Sequence, residues 1–320
     1  MSKNYNNKIA ITTGDVNGIG AEITIKALNA LNLPPEDAVL ISNSRVLDYY
    51  GTLNIPYEII EIPYNEKIQC GKLMASSGEF SFKSLLAACQ INPRAIVTAP
   101  VSKEALHLAG YKFNGQTEIL EKYLVKENNK AEMLFISDKF DVFLLTRHLP
   151  LLKIQLTKDI IVEKISRLAN FYNNPKTKFA LCALNPHAGE DGILGSEEIE
   201  IIIPAINEIR NKGINITMPL PADTLFVNAV QNYIKGEKAP YDCYIAMYHD
   251  QGLIPIKSIA GDKAVNTTIG LPIIRTSPSH GTAFDIAGKN IAKETSMIEA
   301  INTAIKLTQK HKFQENTVVY

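Results

Sequence analysis

Residues 8–20, KIAITTGDVNGIG, decide the fold class of this chain. The first six, KIAITT, favour a strand, and a turn that contains Gly14, Gly18 and Gly20 follows at once. A helical spacing of apolar residues then continues to about Leu31. A strand that passes through a glycine turn into a helix is the building unit of α/β proteins with a largely parallel sheet.

The same alternation of strands and helices continues along the chain. We predict strands at residues 38–42, 95–98, 132–136, 141–145, 179–184 and 243–247, and helices at 79–90, 159–170, 197–212 and 296–311. No internal repeat or long linker interrupts this order. The sequence therefore predicts an α/β fold, and 320 residues suit two domains of ordinary size.

Composition and charge exclude several classes of protein. Lys and Arg together number 33, as do Asp and Glu, so the formal charge is zero. A nucleic-acid or membrane-surface partner calls for a basic excess, which is missing here. No stretch approaches 18 uninterrupted apolar residues, and the polar start does not resemble a signal peptide. We therefore expect a cytoplasmic protein that acts on small molecules.

The glycines of residues 14–20 follow the pattern G-x-x-x-G-x-G. This is neither the G-x-G-x-x-G fingerprint of dinucleotide-binding domains nor the phosphate-binding loop of nucleotide hydrolases. No Rossmann fingerprint occurs elsewhere in the chain. A dinucleotide, if one binds, is therefore expected to bind in another manner.

Three histidines, His148, His187 and His249, each follow a predicted strand. Ligands of open α/β sheets bind outside the carboxyl ends of the strands, where these residues are expected. Three neutral imidazoles suit a divalent transition metal and leave a position for substrate. The alternative is that each histidine bonds only to nearby backbone.

Acidic and basic residues near the same loops offer further chemistry. Asp223 suits proton transfer or the orientation of a ligand imidazole, or else an ordinary helix N-cap. Lys103, Lys257 and Arg275 suit a phosphate, which needs fixed donors and positive charge. The alternative is that these three are surface cations.

Four long motifs and two shorter ones together point to one family. They are residues 14–23 (GDVNGIGAEI), 98–106 (TAPVSKEAL), 185–198 (NPHAGEDGILGSEE), 219–226 (PLPADTLF), 248–257 (YHDQGLIPIK) and 265–288 (VNTTIGLPIIRTSPSHGTAFDIAG). From about residue 8 to about residue 310 the chain resembles the 4-hydroxythreonine-4-phosphate dehydrogenases of pyridoxal phosphate biosynthesis. The four motifs from residue 185 onward, in the family's order, are far more specific than any one of them.

This resemblance implies a two-domain, three-layer α/β/α fold of the isocitrate and isopropylmalate dehydrogenase type. Residues 1–125 and 265–320 would form the cofactor-binding domain, and residues 126–264 the domain that holds the metal and forms the dimer. The resemblance also implies a homodimer whose active site takes residues from both subunits. Residues 279–291 (SHGTAFDIAGKNI) look like the loop with which such dehydrogenases bind nicotinamide dinucleotides without a Rossmann fingerprint.

Site residues follow from matching this sequence to the family's motifs. The resemblance implies metal ligands at His148, His187 and His249, substrate contacts at Gln116, Thr117, Lys257, Asn266 and Arg275, and cofactor contacts at His280, Gly281, Thr282 and Asp285. Lys257 or Asp223 would handle the proton. The cofactors would be NAD or NADP and a divalent metal, with zinc expected first and magnesium or cobalt as alternatives.

The implied reaction is the oxidation of 4-phosphohydroxy-L-threonine to its 3-oxo acid, which decarboxylates to 3-amino-2-oxopropyl phosphate. One residue departs from the family, which usually has histidine immediately before the threonine. Here Gln116 precedes Thr117, and glutamine carries no charge and shuttles no proton. A dehydrogenase of threonate or erythronate 4-phosphate therefore stays open as an alternative.

Two alternatives come from other classes of protein. A metal-dependent phosphatase would use the same histidines to activate water, but the cofactor-like segment 279–288 argues against it. A catalytically inactive binding protein would not need the three histidines, and their presence argues against that interpretation.

Overall fold

The computed structural model describes residues 4–124 and 130–315, and these fall into two compact units. Unit 1 comprises Met1–Ala131 and Val265–Tyr320, and unit 2 comprises Glu132–Ala264. Within the described residues, no helix is both long and apolar enough to cross a bilayer.

Strands and helices alternate along both units. In chain order they are β1 (Ile9–Thr12), α1 (Gly20–Leu31), β2 (Ala38–Ser42), α2 (Ser44–Tyr50), β3 (Glu58–Glu61), α3 (Ala75–Gln90), β4 (Ala95–Thr98), α4 (Lys103–Leu108), α5 (Gln116–Leu124), β5 (Glu132–Ile136), β6 (Asp141–Leu144), α6 (Lys158–Tyr172), β7 (Phe179–Leu181), α7 (Ile203–Asn211), α8 (Ala222–Ile234), β8 (Cys243–Ala246), α9 (His249–Ala260), β9 (Val265–Ile269), β10 (Ile274–Ser277) and α10 (Thr295–Glu315). A π-helix, Glu198–Ile202, leads directly into α7.

The sheet of unit 1 has the strand order β3-β2-β1-β4-β10-β9. All neighbours in it are parallel except β9 and β10, which are antiparallel. Successive residues of β1 face opposite cores: Ile9 and Ile11 pack in one core, and Ala10 packs in the other. Helices α1 and α10 contribute to the first core and α3 to the second, so helices cover both faces of this sheet.

The sheet of unit 2 has the strand order β5-β6-β8-β7. Strand β5 is antiparallel to β6, whereas β6, β8 and β7 run parallel. Val142, Tyr244 and Ala180 lie in one core with Phe226 of α8 and Ile256 of α9. The carboxyl ends of β6, β7 and β8 therefore lie at one edge of this sheet, which the chain leaves in loops after β6 and β7 and almost directly into α9 after β8.

The α/β prediction is confirmed, and the strands predicted at 38–42, 95–98 and 132–136 end at the residues expected. Several bounds differ by a few residues, and three differences concern the segments of His187 and His249. Strand β7 stops at Leu181, the predicted helix 197–212 begins with a π-helix, and residues 249–252 begin helix α9 instead of lying in a loop. Pro255 inside α9 explains the last miss, because proline removes a backbone donor and normally marks a helix end.

Candidate active site

Arg275 lies on β10 in the middle of the unit 1 sheet and is only 3% exposed. Its Nε and Nη2 donate to Oγ1 of Thr98 at 3.0 and 2.7 Å, and Nη1 donates to Oγ1 of Thr268 at 3.3 Å. Burial lowers the pKa of the guanidinium to about 10, and the carboxylate of Glu118 on α5 partly offsets this. The cation therefore stays charged at neutral pH, and two of its five N–H donors remain for an anion.

The first turn of α5 is linked to Arg275 by hydrogen bonds to neighbouring residues at the end of β4. Gln116 Nε2 donates to the carbonyl of Ala99 at 3.1 Å, and Ala99 follows the Thr98 that binds Arg275. A carbonyl oxygen can only accept a hydrogen bond, so the Gln116 atom that faces Ala99 must be the amide nitrogen. Oε1 therefore points away from this carbonyl. Gln116 Oε1 is buried and has no partner among the described residues, and Thr117 beside it is buried.

Asn266 lies on β9, opposite Ser277 of β10 in the register of the antiparallel pair. Its Oδ1 is a second buried acceptor without a hydrogen-bond partner in the described part of the chain. A buried polar atom that lacks a partner costs free energy unless a ligand or water satisfies it. Unit 1 thus brings together one buried cation and two unsatisfied side-chain acceptors, a combination that suits a substrate with an anionic end.

The segment predicted to contact a cofactor follows β10 and packs on the glycine turn 14–20. The backbone N–H of Ile19 donates to the carbonyl of Thr282 at 3.0 Å. A Cβ on Gly18 would lie 3.0 Å from that same carbonyl oxygen, so a larger residue there would press on the segment. Asp285 and Gly281 are exposed and His280 is half-buried, which leaves these three residues accessible.

Asp15, in the same glycine turn, is a buried carboxyl that the sequence did not single out. Its two oxygens accept from the backbone N–H of Asn17 at 2.9 Å and from Ser77 Oγ at 3.1 Å. Burial raises the pKa of Asp15 from 3.8 to about 6, although both hydrogen bonds oppose the rise. The turn therefore holds a carboxyl that titrates well above the usual range.

In unit 2, His148 and His249 lie side by side, each just beyond the end of its strand. Their ring centroids are 5.3 Å apart with an interplanar angle of 51°. His249 Nδ1 lies 2.7 Å from Asp250 Oδ1, so Nδ1–H donates to the carboxylate and Nε2 keeps its lone pair. A histidine that donates one ring N–H to a carboxylate is the usual arrangement for a metal ligand.

His187 lies in a loop whose backbone conformation is unusual. Residues 187–191 all have positive φ, with values of 51°, 57°, 80°, 46° and 53°. The left-handed region costs each non-glycine residue about 1–2 kcal/mol, so this loop needs an anchor. The His187 side chain is 66% exposed, and its Nδ1 lies 4.0 Å from Glu190 Oε2.

The anchor of this loop is Glu198, a second functional candidate that the sequence did not reveal. Its Oε1 accepts from the backbone N–H groups of Leu184 and Asn185, each at 2.8 Å, and its Oε2 accepts from Asn185 Nδ2 at 2.8 Å. Only the pair of glutamates after a glycine-rich stretch could have drawn attention to it.

Within residues 4–124 and 130–315, no group of three or more His, Cys, Asp or Glu residues is arranged to hold a metal. One chain thus brings together two of the three predicted imidazoles, His148 and His249, and the complete trio stays a prediction. Several exposed apolar residues directly follow the histidines in the sequence. They are Leu149, Leu151 and Leu152 after His148, and Ile193 and Leu194 after His187.

The two candidates for proton transfer lie on helices of unit 2. Asp223 is exposed in the first turn of α8. The N-cap of that helix is Pro221, so the N-cap interpretation of Asp223 is wrong. Lys257 is exposed in the last turn of α9, the helix that begins at His249. Eight residues along a helix span about 12 Å, a distance that a lysine side chain only partly covers.

Comparison with solved structures first defines the class of fold. A β-decarboxylating dehydrogenase from Thermococcus kodakarensis matches with a TM-score of 0.53 at 16% identity, over 93% of this chain and 83% of that one. The chain therefore shares the α/β fold of that β-decarboxylating dehydrogenase. The family model described as "Pyridoxal phosphate biosynthetic protein PdxA" matches residues 10–304, and the chain belongs to that family.

Relatives with high coverage support this membership. A 4-hydroxythreonine-4-phosphate dehydrogenase from Sulfurihydrogenibium sp. is 38% identical over 95% of this chain and 99% of its own. A D-threonate 4-phosphate dehydrogenase from Salmonella typhimurium is 36% identical over 93% and 98%. The crystal structure of a 4-hydroxythreonine-4-phosphate dehydrogenase from Klebsiella pneumoniae matches with a TM-score of 0.81 at 33% identity, covering 95% and 100% of the two chains.

Proposed function

We propose that this protein is a metal-dependent, NAD- or NADP-linked dehydrogenase of 4-phosphohydroxy-L-threonine. It would oxidise the substrate to the 3-oxo acid, which decarboxylates to 3-amino-2-oxopropyl phosphate, in pyridoxal phosphate biosynthesis. The observation that carries the proposal is Arg275, a buried guanidinium whose hydrogen bonds within the described residues go to the hydroxyls of Thr98 and Thr268. Because its two remaining N–H donors can bind an anion, a phosphorylated substrate suits it. A soluble substrate and coenzyme suit an enzyme of the cytoplasm.

The substrate contacts in unit 1 would orient the phosphorylated molecule. Arg275 would bind an anionic group, while Thr117 and Asn266 would bind the polar groups of the carbon chain, as the family resemblance implies. Asn266 Oδ1 is buried without a partner among the described residues, so a substrate donor would satisfy it. Binding energy from an anchored phosphate can hold the reacting carbon in place.

His148 and His249 would hold a divalent metal, zinc in the first instance, with magnesium or cobalt as alternatives. The donor set fits, because two imidazoles lie 5.3 Å apart between ring centroids and one donates its other N–H to Asp250. Such an ion, when bound, lowers the pKa of a hydroxyl and stabilises negative charge on oxygen.

His187 would complete the metal shell from a second copy of the chain. Within the described residues of one chain it does not join His148 and His249 in a metal-binding group. Leucines 149, 151 and 152 beside His148 are exposed, the last of them by 99%. Exposed apolar residues favour a protein partner, and a homodimer with a shared active site would cover them.

His280, Gly281, Thr282 and Asp285 would contact the nicotinamide dinucleotide. NAD or NADP held by these residues would supply the acceptor for the hydride. The contact between Ile19 N–H and the Thr282 carbonyl holds the segment against the glycine turn, so little ordering is needed on binding. Lys257 or Asp223 would take the hydroxyl proton as the hydride leaves.

A second substrate is favoured by Gln116. Its buried Oε1 can accept a hydrogen bond. Either a hydroxyl or an ammonium group of the substrate can donate that bond. Threonate or erythronate 4-phosphate, which carry a hydroxyl in place of the amine, are therefore the alternative substrates. The D-threonate 4-phosphate dehydrogenase among the relatives supports this alternative.

The test measures formation of reduced nicotinamide by absorbance with 4-phosphohydroxythreonine, D-threonate 4-phosphate or D-erythronate 4-phosphate. We expect the protein to oxidise 4-phosphohydroxythreonine. A chelator should abolish this activity, and added zinc, cobalt or magnesium should restore it. Faster turnover of either sugar acid would instead establish the alternative. Phosphate release without nicotinamide reduction would identify a metal-dependent phosphatase and overturn both proposals.

A further inference from the structure

We propose that Glu198 is a positioning residue, which holds the loop of His187 in the geometry that metal binding needs. This inference rests on the proposed role of His187 as a metal ligand. It assigns a role to a residue whose carboxylate binds the chain just before the loop, and it explains why a carboxylate is buried at this place.

The contacts of Glu198 identify what it holds. The residue is 1% exposed, and its carboxylate accepts from two consecutive backbone N–H groups and one side-chain amide. None of the ion pairs with lysine or arginine in the described part of the chain involves Glu198. A buried carboxylate without a cation is stable only where several donors converge on it. These donors belong to Leu184 and Asn185, which immediately precede the His187 loop.

The same carboxylate also limits the middle of the loop. A Cβ on Gly189 would lie 2.9 Å from Glu198 Oε2 and 3.0 Å from the carbonyl oxygen of Gly195. The backbone N–H of Leu194 donates back to the Gly189 carbonyl at 3.0 Å, which closes the loop on itself. Glu198 therefore lies against both the entry and the centre of the segment that presents His187.

Two features indicate that Glu198 positions the His187 loop and does not only stabilise the fold. The left-handed residues 187–191 store backbone strain, and strain of this kind persists where surrounding contacts impose it. Glu198 also begins a π-helix, a rare conformation that is found mostly at functional sites. Because the His187 side chain is largely exposed, loss of these contacts would mainly move the imidazole.

The experiment titrates the full-length protein with Co²⁺ and follows both the visible absorption of the bound ion and the dissociation constant. The variants are Glu198→Gln and His187→Ala. Glu200→Gln is the matched control, since Glu200 is exposed in the same π-helix. Glutamine keeps the shape of Glu198 but replaces one acceptor with a donor, which cannot accept from Asn185 Nδ2.

We expect Glu198→Gln to weaken Co²⁺ binding by about 10-fold or more, as for other residues that orient a metal ligand. The control should bind as the wild type does. At saturating Co²⁺ the KM for the phosphorylated substrate should be unchanged, whereas a general loss of structure would alter KM as well. If Glu198→Gln does not fold, Gly189→Ala provides the second variant, with the same expected weakening.

The outcomes separate the two proposals. If His187→Ala weakens Co²⁺ binding and the folded Glu198→Gln protein does not, the positioning role is wrong and the metal role of His187 stands. If neither variant changes Co²⁺ binding, His187 is not a ligand and both proposals are overturned. Equal weakening by Glu200→Gln would show a general charge effect and would also overturn the positioning role.

Discussion

Arg275 of unit 1 and His187 of unit 2 are both candidate ligand-binding residues, but their surroundings are opposite. Arg275 is 3% exposed and is held by three hydrogen bonds on a central strand. His187 is 66% exposed in a loop of left-handed residues. The side chain proposed to bind the anion is thus already held within one chain, whereas the third imidazole does not join the other two in the described residues.

The difference indicates which part of the site each chain completes alone. We expect a buried guanidinium to find its hydrogen-bond partners as its own chain folds, because a buried charge without them costs free energy. An exposed imidazole carries no such cost and can be shared between subunits. We therefore expect changes in unit 1 to act within a subunit and changes at His187 to act across subunits.

The largest expected effect tests this sharing by subunit mixing. His148→Ala and His187→Ala should each reduce kcat/KM by roughly a thousandfold or more, because each removes a metal ligand. Random mixing of the two inactive proteins should restore about a quarter of wild-type activity, since half of the dimers are mixed and each has one intact site of two. The measurement is nicotinamide reduction after subunit exchange.

If His187 instead served the site of its own chain, every site in the mixed dimer would lack one ligand. The mixture would then stay inactive, and the comparison with Arg275 would fail. His107→Ala is the matched control for the loss of a histidine. His107 lies on α4, with Nε2 2.9 Å from the carbonyl oxygen of Phe113, and its replacement should leave the activity unchanged.

The next largest effect is expected at Arg275. Lysine at this position keeps the charge but loses the planar fork, so Arg275→Lys should raise the KM for the phosphorylated substrate by roughly 10- to 100-fold. The KM for NAD should change little, and mixing with wild-type subunits should not rescue the altered sites. Arg45→Lys provides a control at an exposed arginine of the same unit.

Rescue of the Arg275→Lys sites by wild-type subunits would contradict the assignment of this residue to a site within its own subunit. An unchanged KM would contradict the phosphate-binding role itself, and Arg275 would then be a structural cation held by Thr98 and Thr268.

The fold could be predicted because its evidence is local. The four- and five-residue strands β1, β2 and β4 are buried throughout and apolar up to a final Thr or Ser. The short helix α2 was missed because seven residues contain too few turns for a clear pattern. Helix α5, where Gln116 and Thr117 lie, was missed for the same reason.

For the site, the sequence indicated which types of residue take part but not how their side chains are held. Strand ends indicated where His148 and His249 would lie, and these two rings do lie together. Glu198 was missed because its bonds join it to residues 13 and 14 positions earlier, across a loop with no periodic pattern. The left-handed conformation of His187 was also hidden, because the sequence marks it only by neighbouring glycines.

The smallest effect concerns Asp15, where unit 1 buries a second charged group. Its folded-state pKa of about 6 lies above the usual 3.8, so between these values the folded state binds more protons than the unfolded state. The free energy of unfolding should therefore fall as the pH rises through this window. The loss is about 3 kcal/mol at most, since each pKa unit corresponds to about 1.4 kcal/mol.

Asp15→Asn should remove this loss, because an amide keeps the acceptor for Asn17 N–H and can donate to Ser77 Oγ. Urea unfolding followed by circular dichroism should show the variant to be more stable than the wild type at pH 7, with the difference disappearing toward pH 4. Asp48→Asn, at an exposed carboxylate, should change little at either pH. A variant less stable than the wild type at pH 7 would mean that the ionised carboxylate is itself stabilising. Unit 1 would then gain free energy from a buried anion, and the cost assigned above to an unpartnered buried charge would not extend to its glycine turn.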